Sequence, residues 1–113
     1  MAILITGKFT PSAGAAAFKL YDATDLEYAI TSTATGYTVD ASDNVVLCDG
    51  TFTIDLYTAV GKGGNLLYIK NIGSGVVTVD GDTSETIDGE TTQAVRPNDC
   101  MAIISDNANW VIV

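Results

Sequence analysis

The sequence predicts an all-β protein, an antiparallel β-sandwich or barrel of jelly-roll type, with an N-terminal extended arm or edge strand. Three observations predict it. Apolar residues recur at period two over short spans, clusters of Gly, Asn and Asp bound those spans, and the spans follow one another at about ten-residue intervals.

The leading residues read as an arm. AILIT before PSAGAAA (Pro11 to Ala17) and AFKLYDA after it are strand-like, while the middle is small and featureless. ATDLEYAI, Ala23 to Ile30, has a helical alternative, with Leu26 and Ile30 on one face and Thr24 as its cap. The Thr-rich continuation TSTATGYTV favours the strand reading. Residues 1–36 are therefore assigned to an N-terminal arm or edge segment and residues 37–113 to a β-sandwich module, within one domain overall.

In TFTIDLY, Phe52, Ile54 and Leu56 point one way and Thr51, Thr53, Asp55 and Tyr57 the other, the pattern of a half-buried strand. LLYIKNI sets Leu67 and Ile69 against Leu66, Tyr68 and Lys70, and VVTVD puts Val77 and Val79 on one face. MAIIS and NWVIV are rich enough in branched residues to predict burial on much of both sides. Trp110 reads as a core anchor whose indole N–H bonds a nearby carbonyl. NIGSG, DGD, DGE and SDNAN carry turn chemistry, since Gly accepts positive φ and Asp or Asn bonds its own backbone. On this reading VVTVD runs out, DGD reverses it, SETI returns and DGE reverses again.

A chain of 113 residues, 47% apolar and 17% charged, is about one domain with a single core. It needs no staple to fold. Cys48 and Cys100 lack the CxxC spacing of a zinc or redox site and read as two buried thiols. MAILITGKFTPSAGAAAF has too short an apolar run for an export signal, and Lys8 follows that run. No uninterrupted apolar run approaches the roughly 20 residues of a membrane-spanning helix, so no membrane partner is expected. The net charge is −9, and Lys8, Lys19, Lys62, Lys70 and Arg96 are scattered, which argues against a nucleic-acid partner.

The inventory of chemical motifs is short. Asp80, Asp82, Ser84 and Asp88 supply oxygens at alternate positions, yet a calcium loop of the EF-hand type requires Gly at its sixth position and Glu at its twelfth, where Glu85 and Thr91 stand. Solvated turn carboxylates are the expectation, with no metal site. AVGKGGN lacks the spacing and the Ser/Thr of a phosphate loop and reads as a flexible connector. The chain has no histidine, which removes the Ser-His-Asp and Cys-His constellations. No enzyme is expected, and no catalytic, cofactor-binding or metal-binding residue.

From Tyr37 onward the chain presents in order a YTV strand, VLCDG, TIDLYTAVGKGGN, YIKNIGSGVVTVD, SETIDG and a terminal SDNANW followed by apolar residues. This ordered set resembles a β-rich module recurrent in tailed-bacteriophage virion proteins. The family usually carries Gly where Ala108 stands and often Pro at Tyr57. The resemblance implies a small structural module of capsid decorations, head fibres or tail fibres, often trimeric, without chemistry of its own.

A short chain without a long shaft suits a capsid cement or decoration protein on the virion surface, made in the host cytoplasm. Its expected partners are the major capsid protein and itself, as a homotrimer. Ile3, Leu4, Ile5, Phe9 and Phe18 are the expected capsid or subunit contacts, being apolar and in the segment least able to form its own core. The alternative is a tail-fibre or tail-tip component that binds a host receptor or glycan through tyrosines such as Tyr21, Tyr28, Tyr37 and Tyr57.

Overall fold

The computed structural model describes residues 27–113. The expected contact residues Ile3, Leu4, Ile5, Phe9 and Phe18, and Tyr21 with them, lie outside the described residues. Among the described residues there are nine strands and no helix. The strands are β1 (Ile30–Thr33), β2 (Tyr37–Thr38), β3 (Val45–Cys48), β4 (Thr53–Asp55), β5 (Leu66–Asn71), β6 (Val77–Asp80), β7 (Thr92–Val95), β8 (Cys100–Ser105) and β9 (Trp110–Ile112).

The chain winds. Successive strands from β1 to β6 alternate between two sheets, so each turn of the winding lays one strand into each layer. The first sheet has the order β1-β3-β5-β8-β9 and the second β2-β4-β6-β7. Within the wound part every ladder is parallel: β1 with β3, β3 with β5, β2 with β4 and β4 with β6. The last three strands add antiparallel ladders, β6 with β7, β5 with β8 and β8 with β9. The expectation of a purely antiparallel ladder is thus corrected to two mixed sheets, and neither closes into a barrel. The cause is the nature of the connections. NIGSG, read as a hairpin turn, is a corner that carries the chain from β5 across to β6 in the other sheet, whereas SDNAN does join the antiparallel neighbours β8 and β9; period-two alternation reports which face is buried, not which strand lies alongside. β1 lies before Tyr37 and is nonetheless hydrogen-bonded into the first sheet as its edge strand.

One core fills the space between the layers. Val46, Cys48, Leu67, Ile69, Met101 and Ile103 from the first sheet meet Ile54, Val77, Val79 and Val95 from the second, with Leu56, Ile87 and Trp110 closing one side. The alternation expected for TFTIDLY, LLYIKNI and VVTVD is observed, and each fully buried Val, Leu or Ile side chain contributes about 1.5–3 kcal/mol. Trp110 anchors the last strand in the core, but its indole N–H has no hydrogen-bond partner among the described residues; its ring meets that of Tyr57 edge to face at 5.2 Å. The end of the chain departs from the expected two-sided burial, because Val111, Ile112 and Val113 are exposed. Cys100 departs as well: Cys48 is buried and Cys100 exposed, and both are free.

The corners are built from buried polar groups. Asn71, fully buried at the end of β5, donates through Nδ2 to the carbonyls of Gly75 (2.7 Å) and Val95 (2.9 Å) and accepts from the Gly73 amide through Oδ1 (3.0 Å). Its backbone N–H donates to Asp99 and its carbonyl accepts from Asn98. This corner stacks on the one between β3 and β4, where the Cys48 carbonyl accepts from Ile72. The approach leaves no room for side chains: a Cβ on Gly73 would lie 2.6 Å from Asp49 Oδ1, and one on Gly75 would lie 2.0 Å from Thr51 Oγ1.

The connection from β6 to β7 differs from the expected double reversal. SETI forms no strand; Glu85 donates its N–H to the Asp82 carbonyl in a turn, and Ile87 makes only isolated bridges, to Glu90 and Trp110. DGE does turn the chain tightly, with Asp88 (φ 52°) and Gly89 (φ 86°) both in the left-handed region, the pair that a type I′ turn requires. The excursion carries Ile87 onto Trp110.

Replacing Asn71 by Ala leaves two carbonyls and an amide in the corner without partners, and a cost of about 3 kcal/mol or more is expected, read as a fall in the urea midpoint at unchanged slope. Burial pushes the Cys48 thiol up to about 11, so it stays protonated and inert in the folded protein. Titration of the native protein with a disulfide reagent is expected to show one fast thiol, abolished by Cys100→Ser, and a second only on unfolding.

Candidate functional site

The two sheets turn opposite characters outward. On the second sheet the outward rows are Thr38, Asp55, Asp80 and Thr92, and beside them Thr53, Thr78 and Ala94. Threonines and aspartates on an open face are what water requires. On the first sheet the outward row Ile30, Val45, Tyr68 and Ala102 continues to Val113, whose N–H donates to the Ala102 carbonyl. A second row runs Leu66, Ile104 and Val111, and a third Ser32, Leu47, Lys70 and Cys100. No acidic residue stands in these rows, in a chain of net charge −9. Ile30 is 65% exposed, Val113 69%, and Leu66, Tyr68 and Val111 each more than a third. This outward face is mainly apolar across the sheet, with Ser32 and Lys70 in its third row, and parallel strands ordinarily have both faces covered.

At one corner of this face, where β3 and β5 begin, a cleft of about 360 Å³ opens. Tyr28 and Tyr68 stand on its exposed rim, Tyr57 and Asp43 form its inner wall, and Gly63, Gly64 and Asn65 bound the other side. The wall is rigid for identifiable reasons. Asp43, buried, accepts from the Thr31 hydroxyl (2.6 Å), the Tyr37 hydroxyl (2.9 Å) and the Asp40 amide (2.9 Å), which ties β1, β2 and the turn before β3 together. Tyr57 is backed by Trp110 and its hydroxyl accepts from Asn65 Nδ2 (3.3 Å).

The connector AVGKGGN is not free to move as expected. Gly61 donates to Asn107 Oδ1 (2.8 Å), Gly64 donates to the Ser105 carbonyl (2.9 Å), and Ser105 donates its N–H to Asn65 (3.0 Å) and its hydroxyl to Ala59 (2.7 Å). Glu85 adds a brace, accepting from the Ala59 amide (2.7 Å) and the Thr58 hydroxyl (2.5 Å).

The protonation states follow from these contacts. The Tyr37 hydroxyl is raised above the usual tyrosine range, chiefly because it donates to Asp43 and also through desolvation. Tyr57 is raised by burial. Asp40 is held below the usual carboxylate range by the Ser42 hydroxyl and amide that donate to it.

Of the tyrosines expected to form a ligand platform, Tyr28 and Tyr57 meet at the cleft, while Tyr37 is tied to Asp43. Tyr68 joins them, a residue the alternation of LLYIKNI placed on the outward face without marking it as functional. Asp43 and Asn65 left no signal, since neither sits in a motif. Asp80, Asp82, Ser84 and Asp88 do not converge. Asp88 Oδ1 instead accepts from the Ile112 amide (2.9 Å), and among the described residues no group of three or more His, Cys, Asp or Glu side chains is placed to hold a metal ion. A second hollow of about 250 Å³ lies between β7 and the β8–β9 ladder, beside Cys100 and Ile112.

Comparison of the chain with models of protein families, with curated proteins and with solved structures finds no match.

The pH dependence of stability has two limbs. Asp40 is depressed in the folded state, so its contribution is complete above the ordinary carboxylate value of 3.8 and is lost as the pH falls through the lower folded value. Tyr37 is raised, so its contribution is complete below 10.0 and is lost as the pH climbs through the higher folded value. Urea midpoints measured from acid to alkaline pH are expected to fall at both ends. Tyr37→Phe should flatten part of the alkaline limb, leaving the part due to Tyr57.

Proposed function

We propose that this chain is a non-enzymatic structural protein of a tailed-bacteriophage virion, a cement or decoration protein on the outer surface of the head. The observation that carries the reading is the contrast between its two outward faces, one of Thr and Asp, the other apolar across five strands. A protein that lies on a shell needs one surface to cover and one to leave in water. The apolar face of the first sheet meets the major capsid protein, and the threonine and aspartate face points outward. The resemblance of residues 37–113 to a phage virion module supports the location on a virion, and the same resemblance supports a homotrimer.

Such a protein acts by mass action. Each docked copy removes apolar surface from water at about 25 cal/mol per Å², and many equivalent sites on one shell multiply a modest individual affinity. The acidic remainder of the surface restricts where contact is favourable, since copies of net charge −9 repel wherever their aspartates approach. The first sheet, free of acids on its outward rows, escapes that repulsion.

Quantitative mass spectrometry of purified virions is expected to find this chain in copies on the order of hundreds per particle, the number that repeated shell sites demand. A handful of copies would move it to the tail, and its absence would discard the virion reading. In binding to purified heads, Val111→Asp is expected to weaken attachment at least tenfold while Thr78→Asp, on the opposite face, leaves it unchanged; equal effects would overturn the assignment of the docking face.

A further inference from the structure

We propose that the cleft between Tyr28, Tyr68 and Asp43 is a binding site for a neutral saccharide. Sugar rings present patches of C–H on their faces and hydroxyls at their edges, so a site for them needs aromatic surface beside uncommitted hydrogen-bonding groups. The cleft has both. Tyr28 is 59% exposed and Tyr68 36%, and each offers a ring to stack on. Among the described residues Asn44 spends only Oδ1, on the Ala29 amide, and Asn65 spends only Nδ2, on Tyr57, so an amide donor and an amide acceptor remain for a ligand's hydroxyls.

The size agrees: about 360 Å³ lies at the small end of ligand sites and suits one or two rings. The site is also formed in advance, because Trp110 backs Tyr57 and the backbone bonds of Gly64 and Ser105 hold the turn that carries Asn65. Charge sets the specificity. Among the described residues no Lys or Arg lines the cleft, Asp43 forms its wall and Asp40 stands close by, so an anionic sugar or a phosphate meets a negative field there. An uncharged saccharide meets none of that cost.

Leu66 and Tyr68 belong both to the cleft and to the apolar face. The site is therefore tested on the free chain, and the test stands whether or not that chain docks on a phage head. Amide spectra of the full-length protein are followed while glucose, galactose, mannose, N-acetylglucosamine, N-acetylgalactosamine, sialic acid and glucose 6-phosphate are added in turn. At least one neutral sugar is expected to shift the amides of Asn44 and of Gly63 to Leu66 saturably, with a Kd of about 1 mM or tighter, while the two anionic sugars do not. Tyr68→Ala should weaken that binding at least tenfold with the rest of the spectrum unchanged. Tyr28→Ala, at a rim position more exposed still, serves the same purpose should Tyr68→Ala fold poorly. The proposal is overturned if no neutral sugar moves these amides, if the anionic sugars bind as well, or if a folded rim variant binds undiminished.

Discussion

The winding of this chain depends on one buried amide. A parallel coil must turn a corner at the end of every strand, and each corner brings backbone polar groups out of their ladder and into the interior. At the end of β5 that problem is solved by Asn71, which satisfies the Gly73 amide and the Gly75 carbonyl on its own corner and the Val95 carbonyl at the end of β7. The same residue's backbone takes in Asn98 and Asp99, at the turn leading to β8. The parallel part of the fold and its antiparallel end are thereby joined at one side chain. An apolar residue of similar size would fill the space and leave three backbone groups unpaired, which is the more costly outcome.

Asp43 plays the corresponding part at the opposite end of the strands. Its carboxylate gathers β1, β2 and the turn before β3, and the same contacts make the rigid wall of the cleft. Glu85 braces the segment after β4 from the far side of the excursion between β6 and β7. In each case the hydrogen bonds of one polar residue hold a connection in place beside the apolar core. The carboxylates of the acidic loops belong to this pattern: Glu85 accepts from the Ala59 amide after β4 and Asp88 from the Ile112 amide of β9, so each ties its loop to the chain's own backbone.

What the sequence reveals and what it hides divide along the same line. Alternation in LLYIKNI and VVTVD fixes Leu67, Ile69, Val77 and Val79 as core residues, because a strand half in water must alternate whatever its neighbours. It does not say that β3, and not a hairpin partner, lies beside β5, since parallel and antiparallel ladders make the same demand on side chains. NIGSG is legible as a place where the chain turns; that it turns into another layer is decided by Asn71, whose burial no local pattern announces. The exposed end of NWVIV misleads for a related reason: branched residues satisfy a β-strand's backbone preference on a wet face as well as a dry one. Of the cleft, the tyrosines are visible in the sequence but their convergence is not, because Tyr28, Tyr57 and Tyr68 are brought together only by the stacking of separate turns.

The contrast between the two outward faces is itself a consequence of the winding. Because each turn of the coil contributes one strand to each layer, the contrast appears along the chain as an alternation: threonine and aspartate in β2, β4 and β6, and mainly isoleucine, valine, leucine and tyrosine, with Ser32 and Lys70, in β1, β3 and β5. Solubility alone would ask for polar residues on both. The segregation holds on every turn, and the closing strands keep it, with Thr92 and Ala94 of β7 on one side and Ala102, Ile104 and Val111 of β8 and β9 on the other. Asp55 and Asp80 even stand side by side on the polar face, accepting mutual repulsion there while the opposite face carries no acid in its rows. In a strongly acidic protein this side is kept free of acids strand after strand, with Lys70 its one charged side chain in these rows, and the fold presents it as one continuous side of the molecule.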